Sequence, residues 1–107
     1  MRLVRSGQAE LIGPIRQELL TGVSRDSDFE RFRRALESFR DLPVGTADHE
    51  EAARCSNRCR ARGIAMTGVD ALVCAVALRE RTRVFTLDED FPRYARILSV
   101  RLHEVKR

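Results

Sequence analysis

The chain has 107 residues, of which 43% are hydrophobic and 34% are charged. This length and composition favour one globular domain with a single hydrophobic core and exclude intrinsic disorder. We expect neither membrane insertion nor secretion, because no apolar stretch approaches the roughly 20 residues of a membrane span and the N-terminus lacks an apolar signal core. The formal charge of +4 comes almost entirely from arginine, which leaves nucleic acid and an acidic protein open as partners.

The first half of the chain predicts one strand and two helices. Residues 9–12 form an apolar strand, and a helix covers about residues 14–20, because proline is tolerated in the first helical turn. Ser27 or Asp28 caps the next helix, whose apolar residues repeat at helical spacing. Those residues are Phe29, Phe32, Leu36 and Phe39. Such a stripe is typical of a core face, and a protein interface is the alternative.

The second half predicts two longer helices followed by shorter elements. Asp48 and Glu51 resemble a capping box at the start of a helix that runs to about Arg62. Thr67 caps a further helix over residues 69–78, which is so apolar that it must be buried on most sides. The remaining elements are a strand over residues 83–85, a short helix over 92–97 and a final strand over 98–105. Strands separated by helices predict an α/β fold with a parallel sheet.

Carboxylates lie near the ends of three of these elements. Glu18 follows the first strand, Asp70 lies in the first turn of the buried helix, and Asp88 and Asp90 follow the strand over residues 83–85. Ligands of parallel sheets gather beyond the carboxyl ends of the strands, so we expect these acids to converge. Carboxylate oxygens are suitable ligands for Mg²⁺ or Mn²⁺ in phosphodiester hydrolysis, and carboxylates that converge without a metal raise one another's pKa.

Each acid also has a plain structural interpretation. Asp70 would then be a helix-start carboxylate that satisfies backbone N–H groups, and Asp88 a turn residue after a strand. We favour the site role for both, because Thr67 is already available as the cap and Asp90 lies beside Asp88. Cys55 and Cys59 lie one helical turn apart and would begin a zinc site with Cys74 or His49. No spacing supports four zinc ligands, so we predict that these cysteines are reduced, buried thiols.

Three segments of the chain resemble the PIN domain, in order and at familiar spacing. They are Pro-Ile-Arg-Gln-Glu-Leu-Leu at residues 14–20, the run from Gly-Ile to the Ala-rich helix at 63–77, and Phe-Thr-Leu-Asp-Glu-Asp-Phe at 85–91. More narrowly, the chain resembles the VapC-type ribonuclease toxins of bacterial toxin–antitoxin pairs. The resemblance implies a three-layer α/β/α domain with a central parallel sheet.

The resemblance also implies an activity. VapC-type toxins are Mg²⁺- or Mn²⁺-dependent endoribonucleases of the bacterial cytoplasm, usually homodimeric, and a cognate antitoxin protein holds them inactive. Their acids and pocket-lining polar residues map onto six positions of this chain. These are the catalytic and metal-binding Glu18, Asp70 and Asp88, the metal-binding Asp90, and the pocket-lining Thr67 and Thr86.

One part of the family pattern has no match. Family members carry a first acid, an Asp, on a central first strand, and residues 5–8 here resemble the tail of the helix after that strand. We therefore expect residues 1–107 to be a single, N-terminally truncated domain that lacks the central strand and leaves both flanking strands unpaired. The alternative function is a catalytically degenerate binding module that sequesters antitoxin or pairs with an intact toxin. An unrelated small α/β domain would instead carry the acids at different edges of the sheet.

Overall fold

The structure is a computed structural model that describes the backbone of residues 2–5 and 8–103 and the side chains of residues 10–103. Within these residues the chain forms five strands and five helices. In chain order they are β1 (Arg2–Arg5), β2 (Gln8–Ile12), α1 (Gly13–Leu20), α2 (Asp26–Leu36), β3 (Arg40–Leu42), α3 (Thr46–Ala61), α4 (Gly68–Glu80), β4 (Arg83–Phe85), α5 (Asp90–Leu98) and β5 (Arg101–Leu102). Each predicted helix and strand has a counterpart. The final strand is shorter than the predicted 98–105, because Leu98 belongs to α5 and β5 covers only Arg101–Leu102; residues 104 and 105 lie outside the described residues. Helix α2 begins at Asp26, so the prediction that Ser27 or Asp28 caps it is wrong.

The strands form one mixed sheet in the order β3-β2-β1-β4-β5. The pairs β2–β3 and β4–β5 are parallel, and β1 lies antiparallel between β2 and β4. Four strands consequently point the same way, and their carboxyl ends share one edge of the sheet. The predicted α/β class is confirmed, whereas the prediction of a wholly parallel sheet is wrong at β1.

The centre of the sheet is occupied, contrary to the expected gap between the flanking strands. Leu3 of β1 is paired with Glu10 on one side and with Val84 on the other. Arg5 and Gln8 lie in strands, so their interpretation as the tail of a helix is wrong. The physical reason is the cost of unpaired backbone donors and acceptors on β2 and β4, which the neighbouring segment β1 removes by pairing with both.

Helix α4 lies at the centre of the core, as its composition predicts. The seven residues from 71 to 77 are all buried, and α4 packs against α3 and β4. The Thr67 hydroxyl accepts a hydrogen bond of 3.1 Å from the backbone N–H of Asp70, which confirms Thr67 as the cap. Because α4 is enclosed, its first turn carries Asp70 into the protein rather than onto an open surface.

Helix α3 begins earlier than predicted, at Thr46. Asp48 is the third helical residue, not the cap, and its carboxylate accepts a hydrogen bond of 2.9 Å from the backbone N–H of Gly45. Glycine has no side chain to complete a capping box. The buried Asp48 instead forms an ion pair with the exposed Arg79, near the end of α4, which fixes the two helices against each other.

The three cysteines are free thiols in the core. Cys55, Cys59 and Cys74 are fully buried, and burial raises the pKa of each thiol. No group of three potential metal ligands forms among the residues that the structure describes. The prediction of buried thiols is therefore confirmed, and they pack as small apolar side chains.

Arg16 fixes helix α1, which carries Glu18, against its neighbours. Its guanidinium forms a bidentate pair with the two carboxylate oxygens of Asp41 at 2.7 and 3.1 Å, and donates to the carbonyl oxygens of Leu36 and Phe39 at 2.9 and 2.8 Å. Planar arginine–carboxylate pairs of this kind add geometric specificity as well as energy. One side chain thus links α1 to the end of α2 and to β3.

None of the described helices combines the length and the apolar character that crossing a membrane requires.

We predict that β1 is required for stability because it pairs along both of its edges. Proline at Val4 removes a ladder hydrogen bond from a central strand and should lower the melting temperature by at least about 4 °C, the shift that about 1 kcal/mol produces in a domain of this size. Thermal unfolding followed by circular dichroism measures the effect, with Val4→Ala as the control for loss of the side chain alone. Equal melting temperatures for the two variants would contradict the central position of β1.

Candidate active site

The predicted acids lie towards one edge of the sheet. Glu18 lies on α1, directly after β2, and Asp88 lies in the loop after β4; β1 is the only strand between β2 and β4. Asp70, in the first turn of α4, interacts electrostatically with both Asp88 and Glu18. Three carboxylates from three separate segments therefore lie near enough to influence one another's charge.

Asp70 is the most buried of these acids, with 9% of its surface exposed. Burial raises the pKa of its carboxyl group, and the negative charges of Asp88 and Glu18 raise it further. The hydrogen bonds with Tyr94 and Thr67 lower the pKa of Asp70, but they do not cancel the increase. The arrangement makes an ionised Asp70 costly in the absence of a cation.

The loop after β4 is held by its own side chains. The Thr86 hydroxyl accepts a hydrogen bond of 3.0 Å from the backbone N–H of Asp88, and Oδ1 of Asp88 accepts one of 2.9 Å from the backbone N–H of Asp90. These two turns orient the loop that enters α5. Thr86 thus positions Asp88, and one oxygen of Asp88 is already used by the backbone.

Asp88 and Asp90 differ in their surroundings. Asp88 is exposed, and its charge acts on Asp70. Asp90 forms an ion pair of 2.6 Å with Arg93, one helical turn along α5, and its charge acts on Tyr94. Asp88 is therefore the acid whose charge acts on Asp70, whereas the carboxylate of Asp90 is paired with Arg93.

Tyr94 is a site residue that the sequence pattern does not reveal. Its buried hydroxyl donates a hydrogen bond of 3.3 Å to Oδ2 of Asp70, and its ring contacts Phe91 edge to face at 5.1 Å between centroids. Burial and the neighbouring carboxylates raise the pKa of Tyr94, so the hydroxyl remains a donor at neutral pH. The position of Tyr94 one turn after Asp90 is the only local signal that connects it with the acids.

An open pocket lies beside Asp70. Glu18 and Thr67 both line it, with Pro14, Gln17, Thr21 and Val69, and its volume is about 380 Å³. Thr67, which caps α4, also borders the space next to Glu18. Thr86 is not among the residues that line this pocket.

The carboxylates match a hard divalent cation in the type of donor atom. Their arrangement does not form a metal site, because no three His, Cys, Asp or Glu side chains come close enough to hold a metal ion among the residues that the structure describes. The acids are coupled through their charges but are not gathered around one point. Metal binding would require Glu18 and Asp88, which are both exposed, to move towards Asp70.

Comparison with known families agrees with this architecture. The family model described as the PIN domain matches residues 3–97 of the chain. The chain belongs to the PIN domain family, whose fold is in general that of a nuclease. No curated protein matches the chain.

We predict that Asp70→Asn stabilises the protein at neutral pH. The raised pKa means that Asp70 holds its proton more tightly in the folded state than in the unfolded state. The resulting loss in free energy of unfolding is absent below the ordinary pKa of about 3.9, and it grows as the pH rises through the pKa of Asp70 in the folded state. Asparagine keeps the shape without the charge. The melting temperature should exceed that of the original chain at pH 7 by a few degrees, at about 4 °C per kcal/mol, and converge with it near pH 3.

Glu89→Gln is the matched control, because Glu89 is an exposed acid in the neighbouring loop. Melting curves across pH 3 to 8 should show little pH-dependent difference for this variant. A lower melting temperature for Asp70→Asn at pH 7 would contradict the electrostatic cost assigned to Asp70.

Proposed function

We propose that this PIN domain is a metal-dependent endoribonuclease, the toxin of a bacterial type II toxin–antitoxin pair that acts in the cytoplasm. The observation that carries the proposal is the burial of Asp70 next to two further carboxylates, on α1 and after β4. Such an arrangement costs stability, and clusters of ionisable groups with raised pKa values are typical of functional sites. Membership of a family with a nuclease fold supports the same interpretation.

Glu18, Asp70 and Asp88 would hold Mg²⁺ or Mn²⁺, and Asp90 would assist once released from Arg93. When bound, the cation would polarise a phosphate group of RNA and lower the pKa of an attacking water. Asp70 is the ligand whose position is fixed, since the Thr67 cap holds its backbone and Tyr94 its carboxylate. Thr86 orients Asp88 through the hydrogen bond that its hydroxyl accepts from the backbone N–H of Asp88.

We predict that Asp70→Asn abolishes metal-dependent RNA cleavage, with a loss of at least about 100-fold, because the cation loses its central anionic ligand. Cleavage of a mixed RNA pool with Mg²⁺ or Mn²⁺, followed on denaturing gels, measures the activity. Glu89→Gln removes a charge from the same region and should keep the activity. Cleavage by Asp70→Asn at the original rate would exclude Asp70 from the reaction.

The second candidate function is a binding module without catalysis. The specific observation in its favour is that no three acids are gathered into a metal-binding group within the described residues. The two functions differ in their response to metal. A nuclease should gain melting temperature with Mg²⁺ or Mn²⁺ and lose the gain in Asp70→Asn, whereas a binding module should neither be stabilised by metal nor cleave RNA.

A cognate antitoxin and a homodimer are the protein partners in this proposal. An open groove of about 450 Å³ along α2 supports a partner-binding role. Phe32 in this groove is 38% exposed, although Leu36 of the same apolar stripe is buried. Analytical ultracentrifugation of the chain alone tests for a homodimer. If Phe32→Ser dissociates that dimer, the groove along α2 is the dimer interface. A monomer at all concentrations would leave the groove to the antitoxin and contradict the homodimer.

A further inference from the structure

Strands β4 and β5 present basic and aromatic side chains on one face. Arg83 and Arg101 are paired across the two parallel strands and share this face. The rings of Phe85 and His103 contact each other farther along, with centroids 5.8 Å apart. Val84, between Arg83 and Phe85, points the other way and is fully buried. We call these four residues, Arg83, Phe85, Arg101 and His103, the β4–β5 face.

The β4–β5 face carries unbalanced positive charge. Arg83 and Arg101 are exposed, and neither forms an ion pair with any residue that the structure describes. Like charges directly opposite each other across two strands destabilise a sheet. Most arginines on α1 and α2 have acidic partners instead, as Arg16 has Asp41 and Arg33 has Glu30. An anionic ligand would remove the repulsion between Arg83 and Arg101.

A third arginine lies at the amino end of this face. Arg101 donates a hydrogen bond of 2.7 Å to the carbonyl oxygen of Arg81, and both residues line an open pocket of about 330 Å³. Helices α4 and α5 end at this pocket, and their dipoles contribute about half a negative charge each. Two full positive charges outweigh these dipoles, so the pocket still favours an anion.

We propose that the β4–β5 face binds single-stranded RNA and leads it to the acidic site. Arginine forks suit backbone phosphates, and the rings of Phe85 and His103 suit stacking of unpaired bases. Thr86 and Asp88 follow Phe85 directly, and at strand spacing Arg83 lies only about 10 Å from Thr86. The statement that the face leads RNA to a cleavage site rests on the proposed function, whereas the statement that the face binds RNA does not.

The side chains favour RNA over other occupants. An acidic peptide would pair with the arginines but would leave the two rings without a role. A second copy of the same face would bring Arg83 and Arg101 against identical arginines, which repels. A nucleic acid strand alternates phosphates and bases, and so matches arginines and rings on one surface.

The test measures binding without cleavage. A short fluorescein-labelled single-stranded RNA of mixed sequence is titrated with the full chain in EDTA, and fluorescence anisotropy is followed at several salt concentrations. The double variant Arg83→Gln/Arg101→Gln should weaken binding and reduce the slope of log affinity against log salt by roughly 1.4, since two phosphate contacts are lost. Phe85→Leu, which keeps an apolar side chain, should weaken binding by at least about fivefold with little change in slope.

The control is Arg60→Gln/Arg62→Gln, which removes the same charge from two exposed arginines at the end of α3. Melting temperatures establish that each variant folds, and His103→Gln replaces Phe85→Leu if the latter unfolds. Equal losses in the two double variants would show general charge attraction and overturn the proposal. Equal displacement of the RNA by an acidic peptide of the same charge would also overturn the proposal. A dimer that dissociates in Arg83→Gln/Arg101→Gln would overturn it as well, because the face would then be a dimer interface.

Asp70→Asn separates this inference from the proposed nuclease. The RNA affinity of this variant in EDTA should still fall when Arg83→Gln/Arg101→Gln is added, whether or not the variant cleaves RNA. If the β4–β5 face binds RNA but no cleavage occurs with any metal ion tested, the proposed nuclease activity is refuted and RNA binding by the face stands. If the β4–β5 variants cleave RNA and bind it with unaltered affinity, RNA binding by the β4–β5 face is refuted and the proposed nuclease activity stands.

Discussion

Strand β1 is the element that joins the two halves of the sheet. The pair β2–β3 and the pair β4–β5 have no direct contact in the sheet order, so each half is positioned by its ladder with β1. The helix that carries Glu18 follows one half, and the loop that carries Asp88 follows the other. The separation of these two acids therefore depends on the pairing of a four-residue strand.

The enclosed helix α4 sets the electrostatics of the site. A carboxylate in the first turn of an exposed helix is stabilised by the helix dipole and by water. Asp70 keeps the dipole and the Thr67 cap but loses most of the water, and it lies near two further negative charges. Tyr94 supplies a neutral donor rather than a cation, so it orients the carboxylate without balancing its charge.

Local patterns in the sequence identify most of the fold. The apolar run in α4, the Thr67 cap and the strand before Thr86 are signalled by residues within a few positions of one another, and each is confirmed. Strand β1 is not signalled, because two apolar residues between arginines have no strand pattern and only pairing with distant segments makes them one. The Tyr94–Asp70 hydrogen bond was missed for the same reason, since it joins residues 24 positions apart.

The pairing of β1 with β4 has a consequence for how the chain folds. Leu3 and Val84 come from opposite ends of the described chain, so their ladder closes a very long loop, whereas the β1–β2 ladder is local. During synthesis β1 can pair with β2 early, and its other edge must then wait for β4 to leave the ribosome. That open edge is a site for mispairing with other nascent chains, and chaperone capture at this stage would decide the yield of folded protein.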